Sequence, residues 1–75
     1  MKVGVPSEIK PNEHRVGLTP TAVSEYVERG HEVAVQAGAG TGAGYADEAY
    51  LRAGAAIVAD AEAIFAASKL IVKVK

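Results

Sequence analysis

The sequence predicts a parallel α/β sheet. Short runs of β-branched and small apolar residues recur along it, at Lys2-Val3-Gly4-Val5, Glu32-Val33-Ala34-Val35-Gln36, Ala55-Ala56-Ile57-Val58 and Leu70-Ile71-Val72-Lys73-Val74. Stretches with helix start and stop signals separate these runs: Thr19-Pro20 and Gly30, Asp47 and Gly54, then Asp60. Strands that alternate with helices pair in parallel through right-handed crossovers. No internal repeat or low-complexity tract interrupts the alternation.

The first strand, over 2–5, is apolar and stops at Pro6, which has no N–H for a ladder. A polar loop over 7–18 follows, punctuated by Pro11 and Asn12. Thr19 is a good N-cap and Pro20 a good first helical residue. Val23, Tyr26 and Val27 then form an i, i+3, i+4 apolar stripe. Gly30 suits the left-handed position that closes a helix. The second strand alternates over 32–36, and a glycine-rich loop over 37–45 follows it. Asp47 is expected to cap a short helix that runs through Ala53 and ends at Gly54. A third strand spans 55–58, Asp60 caps a helix carrying Ile64 and Phe65, and a fourth strand spans 70–74.

Seventy-five residues allow one small domain, and a chain of this size buries only about 60% of its unfolded surface. An open sheet with unpaired edges is marginal on its own at this length. An apolar fraction of 49% argues for a globular chain over a disordered one. The net charge is −1 with both signs interspersed, so no electrostatic footprint for nucleic acid or membrane is present. There is no cysteine, hence no disulfide framework and no thiolate zinc site. No His/Asp/Glu group has metal-ligand spacing. The opening Met1-Lys2-Val3-Gly4-Val5-Pro6 is too short and too soon polar for a signal peptide. The longest apolar run is far below a membrane span. The expectation is a cytoplasmic protein.

The loop Pro11-Asn12-Glu13-His14-Arg15-Val16-Gly17-Leu18-Thr19-Pro20 lies between an opening strand and a capped helix. Loops after the first strand of a parallel sheet hold ligand-binding groups. Arg15 suits a carboxylate there, because its planar fork donates two parallel hydrogen bonds; the alternative is a solvated loop arginine. Lys73 and Lys75 share one face of the last strand. They either face the ligand crevice at its carboxyl end or are solvated. Arg15 and the lysines would fall at one edge of the sheet, as a two-point anion clamp requires. Glu8 and Glu13 are candidate partners for Arg15. His14 has no evident carboxylate partner and reads as solvated. His31, after Gly30, favours the helix C-terminus.

Gly38-Ala39-Gly40-Thr41-Gly42-Ala43 fits the G-x-G-x-x-[GA] dinucleotide pattern, and Asp60 falls near the ~20-residue offset of a ribose-binding acid. Three features oppose that reading. The next helix starts only near Asp47, its first turn carries Asp47 and Glu48, and Asp60 is explained as the N-cap of the following helix. The loop then serves as a strand-to-helix connection.

Several spaced motifs together resemble the alanine dehydrogenases. They are Met1-Lys2-Val3-Gly4-Val5-Pro6-Ser7-Glu8-Ile9-Lys10, Asn12-Glu13-His14-Arg15-Val16, Thr19-Pro20, Gly30-His31-Glu32-Val33, Ala37-Gly38-Ala39-Gly40, Ala53-Gly54-Ala55 and Val72-Lys73-Val74-Lys75. That family shares its N-terminal domain with the α subunit of proton-translocating nicotinamide nucleotide transhydrogenases. The resemblance covers the whole chain. It implies that residues 1–75 are the N-terminal part of a substrate domain with a flavodoxin-like (Rossmann-like) sheet of order 2-1-3-4-5. It also implies that NAD is bound by a later, separate domain. It places the family's substrate arginine on Arg15 and its substrate lysine on Lys75, and its catalytic histidine and aspartate beyond this chain. No catalytic, cofactor-binding or metal-binding residue is then expected here. The implied reaction is reversible oxidative deamination of L-alanine to pyruvate and ammonium, in a hexameric parent. The chain stops on Lys73-Val74-Lys75 with no cap or turn, which reads as the first piece of a larger enzyme.

Three other readings stand beside this one. They are part of a transhydrogenase α subunit, a small nucleotide-binding module using residues 38–43, and a non-catalytic assembly piece.

Overall fold

Strand β1 (Lys2–Val5) runs through the interior of the sheet, and its side chains alternate between two unlike faces. Val3 and Val5 are buried on one face, while Gly4 on the other leaves room for a helix to approach. The computed structural model describes residues 1–7 and 17–72. In chain order the elements are β1, α1 (Pro20–Glu28), β2 (Glu32–Gln36), a single 3₁₀ turn (Thr41–Ala43), α2 (Asp47–Arg52), β3 (Ala56–Val58), α3 (Ala61–Ala67) and β4 (Leu70–Ile71).

The described sheet has four strands in the order β3-β2-β1-β4, with every pairing parallel. The α/β class and parallel sheet are as expected. The strand order differs from the 2-1-3-4-5 pattern that the resemblance implies. The difference is β3, a three-residue strand that extends the sheet outward beyond β2. Helix α2 has only six residues, Ala55 N–H closes on Tyr50 O at 3.0 Å just after it, and the chain then enters β3 parallel to β2. Without this edge strand, β2-β1-β4 is the expected start of the order.

Helix α1 follows its sequence signals. Thr19 Oγ accepts from Ala22 N–H at 3.2 Å, Pro20 opens the helix, and Gly30 takes a φ of 91° after it. Its stripe faces the sheet: Val23 is fully buried, with Tyr26 and Val27 packed alongside. They cover Val3, Val5, Val33 and Val35 of the two central strands, together with Leu18, Ala39, Tyr50 and Ala55. Each such valine contributes on the order of 1.5–3 kcal/mol by leaving water.

The opposite face is built from small residues. A methyl group on Gly4 would lie 2.8 Å from Ile64 Cγ2 and would meet the Ser68 hydroxyl. Helix α3 thus seats directly on β1, with Asp60 Oδ1 accepting from Ala63 N–H at 2.9 Å to cap it. Ile64 is 0% exposed, but Phe65 is 53% exposed. The two adjacent apolar residues cannot both face the sheet from one helix.

Three boundaries differ from expectation. The N-cap of α2 is Ala46, and Asp47 is its first helical residue. Strand β3 starts at Ala56, because Ala55 N–H is spent on the α2 terminus. Strand β4 is assigned over Leu70–Ile71, although Val72 N–H still donates to Gly4 O at 2.9 Å. Residues 73–74 of the expected strand lie outside the described residues.

Gly4→Ala is expected to destabilise the protein by about 1–3 kcal/mol, the usual cost of overpacking. The added methyl must push α3 off β1. Urea unfolding measures it, and an unchanged midpoint would contradict the close seating of α3.

Candidate functional site

Parallel pairing brings every strand's carboxyl end to one edge of the sheet. At that edge the topology reverses. From β1 the chain travels through α1 to β2 and on to β3; through α3 it returns to β4, on the other side of β1. Helix α1 covers the Val3 and Val5 face, and α3 covers the Gly4 face. The carboxyl ends of β1 and β4 are therefore neighbours whose connecting helices lie on opposite faces. Such a reversal opens a crevice, and open α/β sheets bind ligands there. Ser7 follows β1 and Val72 follows β4 at this edge, and the pairing of Val3 with Leu70 and Gly4 with Ile71 keeps the two exits adjacent.

The residues expected to bind substrate, Arg15 and Lys75, lie outside the described residues, as do Glu8, Glu13, His14 and Lys73. The two stems of segment 8–16 are described. Ser7 N–H donates to Gln36 Oε1 at 2.8 Å. At the far stem, the buried Tyr50 hydroxyl donates to Leu18 O at 2.8 Å. Tyr50 is 0% exposed, and Tyr45 meets it edge-on with ring centroids 6.4 Å apart. Burial, followed by the nearby Tyr45 and Asp47, pushes the Tyr50 phenol up to about 12.

Sequence reasoning did not single out Gln36 or Tyr50. A signal existed for Tyr50: a tyrosine in a short helix behind a glycine-rich loop carries a hydroxyl that needs a partner once the ring is buried. Gln36, as the polar end of an apolar strand, offers no comparable signal.

Most donors of the glycine-rich loop already have protein acceptors. Gly38 N–H donates to Asp47 Oδ1 at 2.9 Å. Ala39 N–H donates to Gln36 O, Thr41 to Gly38 O, Ala43 to Gly40 O, Gly44 to Thr41 O and Tyr45 to Gly40 O, at 2.9–3.2 Å. A dinucleotide loop instead aims free N–H groups at a pyrophosphate from a helix N-terminus. Here Gly42 and Ala43 belong to a separate 3₁₀ turn, and α2 opens with Asp47 and Glu48. Asp60, the candidate ribose acid, caps α3. The loop's close packing has another beneficiary: a methyl group on Gly40 would lie 2.6 Å from the Tyr50 ring and 2.7 Å from its hydroxyl.

His31 belongs to the other end of the sheet. Its Nδ1 is 3.3 Å from the Met1 amine, and its ring meets Tyr26 edge-on at 5.8 Å. The helix C-terminus is met by its backbone, with His31 N–H donating to Tyr26 O at 3.1 Å. Among the described residues no group of His, Cys, Asp and Glu could hold a metal. No described helix is long and apolar enough to cross a membrane.

Residues 4–75 match the family model "Alanine dehydrogenase/PNT, N-terminal domain". The chain belongs to that family. It is 49% identical over all 75 residues to an alanine dehydrogenase of Mycolicibacterium smegmatis, covering 100% of this chain and 20% of that protein. Among solved structures, it resembles an L-alanine dehydrogenase with a TM-score of 0.94 at 46% identity, over 97% of this chain and 20% of that one. A transhydrogenase from Sinorhizobium meliloti follows with a TM-score of 0.85 at 33% identity, over 97% of this chain and 21% of that one. The chain thus spans about a fifth of the length of the relatives it matches. Within the alanine dehydrogenase/PNT family, its similarity is greater to the alanine dehydrogenase structure than to the transhydrogenase.

The Tyr50 phenol gives this domain a signature in base. The unfolded chain releases that proton near 10.0, and the folded state holds it to about 12. The folded state therefore binds more protons between these values, and stability falls as pH rises through them, by up to about 1.4 kcal/mol per unit. Below pH 10 the contribution is constant. Urea unfolding in parallel with Tyr50→Phe isolates the effect. The stability difference between the two proteins is expected to shrink between about pH 10 and about pH 12.

Proposed function

We propose that this chain is the N-terminal part of the substrate domain of an NAD-dependent L-alanine dehydrogenase. The observation that carries the reading is similarity over its whole length to proteins of that name, at 49% identity in the M. smegmatis case. The lower identity to the transhydrogenase, 33% against 46%, favours the dehydrogenase over a transhydrogenase α subunit. The reaction is the reversible oxidative deamination of L-alanine to pyruvate and ammonium, in a cytoplasmic homo-oligomer such as a hexamer. NAD is assigned to a domain outside these 75 residues. The acceptors already held by six N–H groups of the glycine loop support this assignment.

In this reading Arg15 clamps the substrate carboxylate with its guanidinium fork. Lys75 donates to the carbonyl oxygen or carboxylate and offsets negative charge developing there. Both act as substrate-binding groups that fix the distance and angle of the reacting carbon. The reversal between β1 and β4 supports the pairing, because Ser7 and Val72 lead from adjacent carboxyl ends into segments 8–16 and 73–75.

In the full-length enzyme, Arg15→Lys is expected to raise the KM for pyruvate about tenfold or more, since a hydrogen bond to a charged group is worth about 1.5–3 kcal/mol. The KM for NADH should stay unchanged. Steady-state kinetics decide it, and unchanged pyruvate kinetics would remove Arg15 from the site. The 75-residue chain alone is expected to show no dehydrogenase activity and no saturable NADH uptake by calorimetry. Binding with a Kd of about 100 µM or tighter, about −5.5 kcal/mol, would return residues 38–43 to consideration as a nucleotide site.

A further inference from the structure

We infer that the groove along the free flank of α1 receives a helix from a later part of the parent polypeptide, one that returns to this sheet from beyond the strand next to β4. This rests on the proposed reading of the chain as part of a longer polypeptide, and not on Arg15 or on the reaction. The groove holds about 260 Å³ and is lined by Leu18, Ala22, Glu25, Tyr26 and Arg29. On a helix of 3.6 residues per turn, Val27 lies about 40° to one side of Val23 and Tyr26 about 60° to the other. Val27 turns toward the end of α2, because a methyl group on Gly54 would lie 3.1 Å from its Cγ1. Ala22 and Tyr26 therefore belong to the flank away from α2. Helix α2 packs on β3, at one edge of the order β3-β2-β1-β4, so that flank is on the β4 side.

The sheet beside this flank lacks cover. Leu70 pairs with Val3, so it lies on the face of Val3 and Val5, and it is 40% exposed. Parallel sheets are covered by helices on both faces. Helix α1 cannot slide across to β4 without opening its packing at Gly54. Nor can a crossover that starts from β4 supply the cover. The crossover from β1 to β2 runs toward one edge with α1 on the Val3 face, and the crossover from β3 to β4 runs the opposite way with α3 on the Gly4 face. A right-handed crossover from β4 to a strand beyond it continues in that second direction, so its helix lies on the Gly4 face beside α3. A helix over Leu70 therefore comes from further along the polypeptide. Leu18 and the half-buried Ala22 and Tyr26 give it an apolar floor, and the exposed Glu25 and Arg29 give the rim one charge of each sign. The matching surface is an amphipathic helix with a stripe of small apolar residues bordered by a base and an acid.

Photocrosslinking of the full-length protein tests this. Glu25→p-benzoylphenylalanine puts the reactive group on the exposed rim and leaves the packed floor intact. Irradiation and peptide mass spectrometry are expected to join residue 25 to a helix of the same chain that lies beyond the strand neighbouring β4. The crosslinked protein should keep the mass of one subunit on a denaturing gel. A band at twice that mass assigns the groove to a second copy and overturns the inference, as does a crosslink to any other protein. Attachment to the first helix after residue 75 also overturns it, because the crossover argument then fails. So does the absence of any crosslink outside residues 1–75. Should the Glu25 variant not fold, the same photoreactive residue in place of Arg29 gives the same readings. Alanine dehydrogenase activity of the unmodified protein is measured alongside. Its absence would remove the proposed function and leave this inference standing, whereas activity without the expected crosslink would do the reverse.

Discussion

The unequal faces of β1 are the constraint on which this structure depends. Val3 and Val5 bind one face into the main core under α1, while Gly4 permits α3 to seat against the other. With both faces covered, β1 is an interior strand and takes a parallel neighbour on each side, β2 and β4. The chain can reach those two neighbours only by travelling outward on one face and returning on the other. The reversal at the carboxyl edge, and the crevice that goes with it, follow from that route. A bulky residue at position 4 would disturb the helix whose connection delivers β4, and would therefore disturb the edge where a ligand is expected.

The glycine-rich loop shows why a motif is a statement about backbone donors and not about spacing. Six of its N–H groups already have acceptors within the loop, at Gln36 or at Asp47. Its glycines serve compactness. The turn folds onto itself, and Gly40 admits the ring of Tyr50. That ring is buried with its hydroxyl on the carbonyl of Leu18, so a loop that reads as a cofactor site is packed onto the stem of a different loop. Low dielectric around the phenol makes the bond strong and its loss costly.

The family relationship and the physical reading meet at the same edge. Alanine dehydrogenases and a transhydrogenase resemble this chain over nearly all of it, although it spans only about a fifth of their length. A shared N-terminal architecture across two differently named enzymes is consistent with a sheet whose core is generic and whose chemistry resides in loops. Within the described residues, Gln36 and Tyr50 bond Ser7 and Leu18.

Local chemistry is what this sequence determined by itself. Thr19 and Asp60 cap their helices through hydrogen bonds to the backbone three residues on, and Gly30 ends α1 because a left-handed turn costs glycine little. The alternation over 32–36 and the stripe of Val23, Tyr26 and Val27 were equally legible, since each repeats within a few residues. The tertiary structure decided whatever depends on residues far apart in the chain. It added β3 at the outer edge of the sheet and turned Ile64 inward and Phe65 outward. It made Asp47 a partner of Gly38 instead of a cap and sent the Tyr50 hydroxyl to Leu18, 32 residues away. Such pairings answer to which polar groups are buried together, and that is settled only when the sheet and helices have closed around them.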